Sequence, residues 1–432
     1  MARILAIMCL ILSSVAHADT GEKFFKQALS YTVKVKATVD LPFVEDSKGT
    51  GKGAGFVVDA KRGWIMTNAH VVSHSPAKVT IAFHKQKYVT ASKIYVDPYL
   101  DLAVLKVDVE NMPSEARAAP LDCGDFPAVG HPVGAFGHPY SLSYTGTRGI
   151  ISGVTTNMGG EMLQTDAPIN GGNSGGPLIS LRTGKVVGIN TLSRGNEDDQ
   201  NTNFAEAMKH VCRVLTLLQN GQDPSPPQLA TIFFWSLDEQ HELKVADTSL
   251  QTIPLQKGDE IHGIVGIDEE IENEGQLIHA LRGRLNQVSL KVKRDGKTMT
   301  LAGSLRPTMK ILERPGLYFS GILIGPASLY DHNKLSPGQP LMVHYVESGS
   351  IGGAVEIGER DYLVSVNGYP VKSLSDLHER LLEAARTNQP AVLVLQWGSG
   401  SNERVYNYSI HSVAVEDLRI IGTVEKARIA SH

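Results

Sequence analysis

The sequence predicts a mainly β protein, with an all-β sandwich or barrel pair first and two smaller α+β units after it. From Thr32 to about Leu192, short strand-like runs such as YTVKVKATV, GWIMTNAHVV and LAVLKV alternate with Gly, Pro and Asp, which is typical of an all-β region. Two later segments share the order strand, turn, strand, helix, strand. That shared order predicts a weak internal duplication.

The N-terminal segment, residues 1–18, has the pattern of a cleavable secretory signal peptide. A cationic Arg3 precedes the apolar run ILAIMCLIL, and the small-residue sequence AHA follows it. The run is shorter than a membrane span needs, although an uncleaved anchor is the alternative. We therefore expect a periplasmic or secreted protein that is cut after Ala18.

The composition is that of an ordinary soluble protein: 432 residues, 42% hydrophobic and 20% charged, with a net charge of −4 and a pI near 6.4. Without a basic excess, the sequence argues against nucleic acid as a partner. Cleavage of the signal peptide leaves Cys123 and Cys212. One disulfide is possible in an oxidising compartment, but the sequence does not show whether these cysteines lie near each other.

The remaining elements follow in order. A short amphipathic lead, DTGEKFFKQALSY, precedes the first strand, and a helix is predicted over 204–219 because its apolar residues share one face. The Pro-rich stretch GQDPSPPQ, residues 221–228, is typical of a semi-rigid linker. The first α+β unit covers 229–306, with a DG hairpin turn between alternating strands. The second covers 315–412, and residues 413–432 form a short tail.

The heptapeptide GGNSGGP, residues 171–177, surrounds Ser174 with small residues. A serine hydroxyl becomes a useful nucleophile only beside a base, usually His, that an acid orients. His70 ends the apolar stretch WIMTNAH, and Asp101 lies just before the strand LAVLKV. The order His70, Asp101, Ser174 in one β region is that of chymotrypsin-like hydrolases. It favours a catalytic triad over a Gly-rich surface turn.

Four stretches, TNAHVV, DLAVLKV, GHPVGAFGHPYSLSYTGTRGIISG and QTDAPINGGNSGGPLI, resemble the serine-protease domain of the HtrA/Deg family. The resemblance implies that residues 19–220 form a chymotrypsin-like double β-barrel with the active site between the barrels. It implies His70 as general base, Asp101 as the acid that orients it, and Ser174 as nucleophile. The backbone N–H groups of Gly172 and Ser174 would form the oxyanion hole, and no metal or organic cofactor is required.

The residue six positions before the nucleophile is Asp in trypsin-like enzymes that cut after Lys or Arg. Here it is Pro168, followed by Ile169, which predicts an apolar specificity pocket and cleavage after small or medium aliphatic residues. Asp166 is interpreted as structural. Two departures from the family leave the shape of the pocket open. Gly171 stands where relatives often have Pro, and NTNFAEAMKHV replaces a glycine-rich, apolar entry to the closing helix.

The second α+β unit resembles a PDZ domain in the stretches GLYFSGILI, GSIGGAVEIGERDYLVSVNG and PVKSLSDLHERL. PDZ domains add a peptide to a sheet edge and capture its C-terminal carboxylate with exposed N–H groups. Gly316, Leu317, Tyr318 and Phe319 are similar to that carboxylate loop, and a plain β-hairpin is the alternative. The first unit resembles a PDZ domain more weakly, and we interpret it as a degenerate, structural copy.

These resemblances predict a secreted or periplasmic serine endopeptidase that cuts unfolded or damaged proteins. The two PDZ-like α+β domains would bind substrate tails or C-terminal peptides, or regulate the protease. Trimer-based homo-oligomers are also implied, with Phe24 and Phe25 as candidate contacts unless that helix packs on its own domain. Two alternatives stay open: a chaperone or peptide-binding protein with a resting or inactive protease domain, and a specific processing protease.

Overall fold

The computed structural model describes residues 20–138, 144–155, 161–193, 202–234, 243–248, 250, 252–327, 340–398 and 406–422. The predicted signal peptide, residues 1–18, therefore lies outside the described residues. The α-helices are α1 (Thr20–Ala28), α2 (Ala69–Val72), α3 (Met208–Gln219), α4 (Glu274–Leu281) and α5 (Leu374–Thr387). No helix among the described residues has the length and apolar character that crossing a membrane requires.

The strands are grouped below by region. In the N-terminal half they are β1 (Thr32–Val39), β2 (Gly49–Asp59), β3 (Trp64–Thr67), β4 (Ala77–Ala82), β5 (Val89–Asp97), β6 (Leu102–Lys106), β7 (Pro132–Gly137), β8 (Thr145–Thr155), β9 (Met162–Thr165), β10 (Pro177–Ser180), β11 (Val186–Ser193) and β12 (Asn203–Ala207). The middle segment holds β13 (Pro227–Gln228), β14 (Thr231–Phe233), β15 (Val245–Thr248), β16 (Glu260–Ile264), β17 (Val288–Arg294), β18 (Lys297–Gly303) and β19 (Arg306–Pro307). The C-terminal segment holds β20 (Gly316–Phe319), β21 (Ile322–Pro326), β22 (Leu341–Val346), β23 (Tyr362–Val366), β24 (Tyr369–Pro370), β25 (Ala391–Gly398), β26 (Tyr406–Val413) and β27 (Arg419–Ile421).

Two closed six-stranded barrels form the N-terminal half, in the orders β1-β2-β3-β6-β5-β4 and β10-β11-β12-β9-β8-β7. Alternation explains why these runs become strands. In β1, Val33, Val35 and Ala37 are at most 2% exposed, while the intervening lysines are more accessible. The predicted mainly β fold with a chymotrypsin-like double barrel is confirmed, and the sheets that follow are consistent with PDZ-like domains.

By its internal contacts the chain divides into two compact units. Unit 1 combines residues 1–37, 51–72 and 79–308, and unit 2 combines residues 38–50, 73–78 and 309–432. The predicted boundary before the second α+β unit is close to this division. The first α+β unit, in contrast, belongs to the same unit as most of both barrels.

Within unit 1, residues 229–306 form what we call lobe A. A three-stranded sheet, β16-β17-β18, and helix α4 contribute to one apolar core. Its hairpin turns at Asp295 and Gly296, whose φ values of 49° and 76° are those of a type I′ turn. The predicted linker is not a free spacer, since β13 pairs with β19 and Ser225 is only 3% exposed.

Within unit 2, residues 315–421 form what we call lobe B. The sheet order is β26-β25-β23-β22-β21-β20-β27, with β24 beside β23. Segment 38–50 belongs to this unit, because Phe43 packs with Tyr318 and Leu323. The predicted tail is not separate from the lobe, since β27 pairs with β20.

Two local predictions need correction. The helix predicted over 204–219 begins only at Met208, because Phe204–Ala207 are the ladder partners of β9 and β11 in strand β12. Helix α1 follows the alternative of packing on its own domain. The Phe25 ring stacks on Phe136 with centroids 5.7 Å apart, and a Cβ at Gly134 would lie 2.4 Å from the Phe25 ring.

Cys123 and Cys212 form a disulfide, with Cα atoms 5.8 Å apart across a sequence separation of 89 residues. Cys212 lies on α3 and is 8% exposed. The bridge therefore joins α3, the helix that follows β12, to the segment between β6 and β7. This settles the pairing that the sequence left open.

The double variant Cys123→Ala/Cys212→Ala should lose about 2–5 kcal/mol of unfolding free energy, because a long loop is no longer closed in the unfolded chain. Urea denaturation of wild type and variant measures the difference. A thiol reductant should lower the wild-type midpoint and leave the variant unchanged. Equal wild-type midpoints with and without reductant would contradict a stabilising role for the bridge.

Candidate active site

His70 and Asp101 meet at the edge of the first barrel. His70 lies on the single turn α2 directly after β3, and Asp101 lies in the turn between β5 and β6. The His70 Nδ1 atom is 2.6 Å from Asp101 Oδ2, and the His70 backbone N–H donates to Asp101 Oδ1 at 2.9 Å. The pairing leaves Nε2 as the ring nitrogen available to accept a proton.

The turn that carries Asp101 is held by backbone contacts. Asp101 has a φ of 45°, a left-handed value that is uncommon for a residue other than glycine. Its carbonyl oxygen accepts hydrogen bonds from the Ala69 N–H at 3.0 Å and from Asn68 Nδ2 at 2.9 Å. Both donors come from the segment that carries His70, so the two side chains are positioned as one arrangement.

The loop around Ser174 packs closely against the first barrel. The Ala54 N–H donates to the Ser174 carbonyl oxygen at 2.8 Å, and the Gly175 N–H donates to Asn190. A Cβ at Gly175 would lie 2.2 Å from both Ala54 O and Thr67 Oγ1, and its φ is 82°. Only glycine fits both the space and the backbone conformation.

The Ser174 hydroxyl does not make the predicted direct hydrogen bond to His70. Its hydroxyl donates to the Thr191 carbonyl oxygen at 3.1 Å, and among the hydrogen bonds of the described residues none joins it to His70. Thr191 Oγ1 donates to Asp101 Oδ2 at 2.7 Å. Thr191 therefore bonds through its carbonyl to Ser174 and through its hydroxyl to Asp101.

The oxyanion-hole prediction concerns the backbone N–H groups of Gly172 and Ser174. Gly172 has a φ of 108°, a conformation that an L side chain rarely adopts. Among the described hydrogen bonds, neither the Gly172 N–H nor the Ser174 N–H donates to a protein acceptor. An oxyanion hole needs such backbone donors without a protein acceptor.

The predicted specificity residues are only partly accessible. Pro168 is exposed, and its carbonyl oxygen accepts from Thr147 Oγ1 at 2.8 Å. Ile169 is 3% exposed and belongs to the apolar core of the second barrel, so its predicted place in an open pocket wall is corrected. Asp166 has a structural contact, because its carboxylate accepts the Ile150 N–H at 2.6 Å.

The predicted carboxylate loop of the second PDZ-like unit is wrong. Gly316–Phe319 form the fully buried strand β20, which pairs with β21 on one side and β27 on the other. Leu317 and Phe319 lie in the lobe B core, while Tyr318 donates its hydroxyl to Glu347 at 2.7 Å. The strand's ladder partners leave no exposed row of N–H groups for a peptide carboxylate.

Sequence reasoning missed two residues near Asp101. Thr191 carried no local signal, since it lies inside an ordinary strand. Glu206 stood out only as a charge within NFAEA; it is 7% exposed. Burial first, and then the negative charges of Asp101 and Asp97, raise the pKa of Glu206 well above its usual value. The buried Glu206 carboxyl therefore lies close enough to Asp101 for that charge to contribute to its raised pKa.

Comparison with known proteins agrees with this geometry. Residues 53–189 match the family model of the trypsin-like peptidase domain. The chain is 28% identical to a probable periplasmic serine endoprotease DegP-like of Chlamydia pneumoniae, over 79% of this chain and 73% of that protein. It is 26% identical to the periplasmic serine endoprotease DegP of Salmonella typhimurium, over 83% of this chain and 76% of that protein. A solved structure of the HtrA-type protease AlgW with a tripeptide, 25% identical, matches 66% of this chain and 98% of that chain with a TM-score of 0.53.

These comparisons support the assignment of this chain as a serine protease of the HtrA/Deg family. Its activity class is serine endopeptidase, and the names of its relatives support a periplasmic location. Within this HtrA/Deg protease, the first barrel brings His70 and Asp101 together, and the Ser174 loop packs against that barrel.

Thr191→Val should lower kcat/KM of the HtrA/Deg protease about 10- to 100-fold, because a hydrogen bond to a charged group contributes about 1.5–3 kcal/mol. The carboxylate of Asp101 would lose the donor that comes from the second barrel. Steady-state cleavage of a peptide substrate measures the effect. Thr191→Ser keeps the hydroxyl and is the matched control. Wild-type kcat/KM in the valine variant would contradict this role.

Glu206→Gln should flatten the pH dependence of stability. Because the folded-state pKa of Glu206 is raised above the unfolded value near 4.5, its contribution to stability is fully present below about pH 4.5. That contribution is lost as pH rises through the folded pKa. Urea denaturation at pH 5 and pH 9 should show a larger loss of unfolding free energy in wild type than in the glutamine variant. Equal losses would contradict this interpretation.

Proposed function

We propose that this enzyme cleaves unfolded or damaged periplasmic proteins by acyl transfer through Ser174. The observation that supports it most directly is the 2.6 Å contact between His70 Nδ1 and Asp101. It fixes the imidazole tautomer in which Nε2 is free to take the serine proton. Asp101 then stabilises the imidazolium that forms.

The reaction requires a change at Ser174. Its hydroxyl points to the Thr191 carbonyl, and attack requires it to turn toward His70 instead. We infer that the present arrangement is a resting one. During attack, Ser174 Oγ bonds to the substrate carbonyl carbon as His70 Nε2 takes the hydroxyl proton. The oxyanion accepts hydrogen bonds from the N–H groups of Gly172 and Ser174, and His70 gives the proton to the leaving amine as the C–N bond breaks. Water, deprotonated by His70, then hydrolyses the acyl-enzyme and restores the Ser174 hydroxyl.

Cleavage after small or medium aliphatic residues follows from the chemistry around Pro168. An enzyme that prefers Lys or Arg needs a carboxylate at the pocket base, and here that position is a proline. Asp166, two residues earlier, already accepts a backbone N–H. A cation before the scissile bond would therefore find no matching charge.

Export to the periplasm by the predicted signal peptide is supported by the Cys123–Cys212 disulfide, because disulfides persist in oxidising compartments.

We propose trimer-based homo-oligomers on the resemblance alone. Phe25 packs on its own domain and is no longer assigned to that contact. For lobes A and B we propose a regulatory role, because the strand expected to capture peptides in lobe B has partners on both edges.

Wild-type protein should degrade reduced, denatured casein, and Ser174→Ala should leave it intact, because it lacks the hydroxyl on which the acyl-enzyme forms. Product formation followed by gel and mass spectrometry measures both. Control reactions contain the native, folded enzyme without casein. They show which products do not come from the substrate. Intact substrate with both proteins, including on heating, would contradict the protease function and favour a chaperone with a resting protease domain.

Profiling of cleavage sites on a denatured proteome should show small and medium aliphatic residues before the cut. The physical reason is the missing pocket carboxylate at Pro168. Cuts clustered after Lys or Arg would contradict the proposed pocket. Cuts confined to one or two sequences would instead favour a processing protease.

A further inference from the structure

The buried carboxylate of Asp97 organises the turn that leads to Asp101. Asp97 ends β5, and its Oδ1 atom accepts the N–H groups of Tyr99 at 3.0 Å and Leu100 at 3.1 Å. Its Oδ2 atom accepts the Tyr95 hydroxyl at 2.7 Å. Asp101 follows Leu100 directly. The Asp97 carboxylate therefore holds the backbone that leads to Asp101 and its left-handed conformation.

The positive charge that balances Asp97 comes from lobe A. Arg282 follows helix α4, and its Nη1 atom donates to Asp97 Oδ2 at 2.5 Å, with both side chains 0% exposed. The same nitrogen also donates to the Pro224 carbonyl at 2.6 Å. With four donors on its two oxygens, the Asp97 carboxylate has used the hydrogen-bonding capacity of a carboxylate.

Lobe A is attached to the barrels at this point by a second contact. Arg213 on α3 donates its Nη2 atom to the Arg282 carbonyl oxygen at 2.5 Å. The backbone and the side chain of Arg282 are thus both bonded to the barrel-bearing part of unit 1. Burying a charge is unfavourable unless it is paired. The fully buried guanidinium of Arg282 therefore indicates more than a contact between two surfaces.

We propose that Arg282 is a positioning residue: by neutralising Asp97, it holds the turn in which Asp101 orients His70. The inference rests on the roles proposed above for Asp101 and His70. Without Arg282, Asp97 is a buried carboxylate without its cation, and the surroundings rearrange to solvate it. A small displacement of Asp101 is then transmitted to His70, and misplacement by about 1 Å can cost about 100-fold in rate.

The test compares Arg282→Met with Arg294→Met. Arg294 is the matched control, because it also lies in lobe A and pairs with the buried Asp259 at 2.7 Å, far along the chain from the Asp97 turn. Both variants lose one ion pair of lobe A. A third protein, Asp97→Asn/Arg282→Met, removes both charges and keeps an oxygen that can accept the Tyr99 and Leu100 N–H groups.

Three readouts separate positioning from general destabilisation. The first is kcat and KM on a peptide substrate, and the second is the rate at which a fluorophosphonate labels Ser174. The third is the low-field proton NMR signal of the His70 Nδ1–H, which needs no turnover. Wild type and Ser174→Ala establish the protease function independently of these variants, so failure of that function is distinguishable from failure of this inference.

Arg282→Met should lower kcat and the labelling rate by about tenfold or more, while KM changes by less than about threefold. The His70 signal should shift or broaden. Arg294→Met should keep kcat, and the double variant should recover most of the loss, because neutral replacements of a buried pair are often tolerated. If Arg282→Met does not fold, Arg282→Lys, which keeps the cation, should retain kcat within several-fold of wild type, and the double variant should fold and be active.

Wild-type kcat and an unchanged His70 signal in folded Arg282→Met would overturn the inference. Equal losses of kcat in Arg282→Met and Arg294→Met would also overturn it, because lobe A would then act only through its stability. A folded double variant as inactive as Arg282→Met would have the same consequence.

Discussion

The arrangement of the active site depends on the hydrogen bonds received by the Asp101 carboxylate. His70 donates to it from the first barrel, through both its backbone N–H and its ring, and Thr191 donates from strand β11 of the second. A carboxylate that receives donors from both barrels holds them in register at the point where the chemistry takes place. The left-handed backbone of Asp101 persists because these contacts, and the carbonyl bonds to Asn68 and Ala69, over-determine it.

Close approach of backbones is the second constraint. The Ser174 loop reaches the first barrel only because Gly175 has no side chain to meet Ala54 and Thr67. Among the described hydrogen bonds, the Gly172 and Ser174 N–H groups have no protein acceptor. Small residues around Ser174 therefore serve packing on one side of the loop and, as we propose, transition-state stabilisation on the other.

In lobe B, the stretch that resembles a PDZ carboxylate loop forms a different structure. Its strands and helix α5 enclose an apolar core, as the PDZ resemblance implies. The stretch expected to capture a carboxylate is instead a strand between two partners, and β27 near the C-terminal end covers its outer edge. Tyr318 fits this strand without strain, whereas a tight carboxylate loop would have required glycine there. Backbone groups that already hydrogen-bond within the chain are not available to a ligand.

Local patterns in the sequence were sufficient for the barrel strands, the Asp295-Gly296 hairpin, and helices α4 and α5. They also led to the prediction of His70, Asp101 and Ser174 as the triad. Alternation, turn residues and motif order depend on near neighbours, so they can be recognised along the chain. The Cys123–Cys212 bridge, the bonds of Thr191, the buried Glu206 and the pairing of Arg282 with Asp97 could not be found in this way. Asp97 and Arg282 are separated by 185 residues, and neither has a neighbour that marks it. Whether such residues meet depends on how the segments pack, and only the tertiary structure decided it.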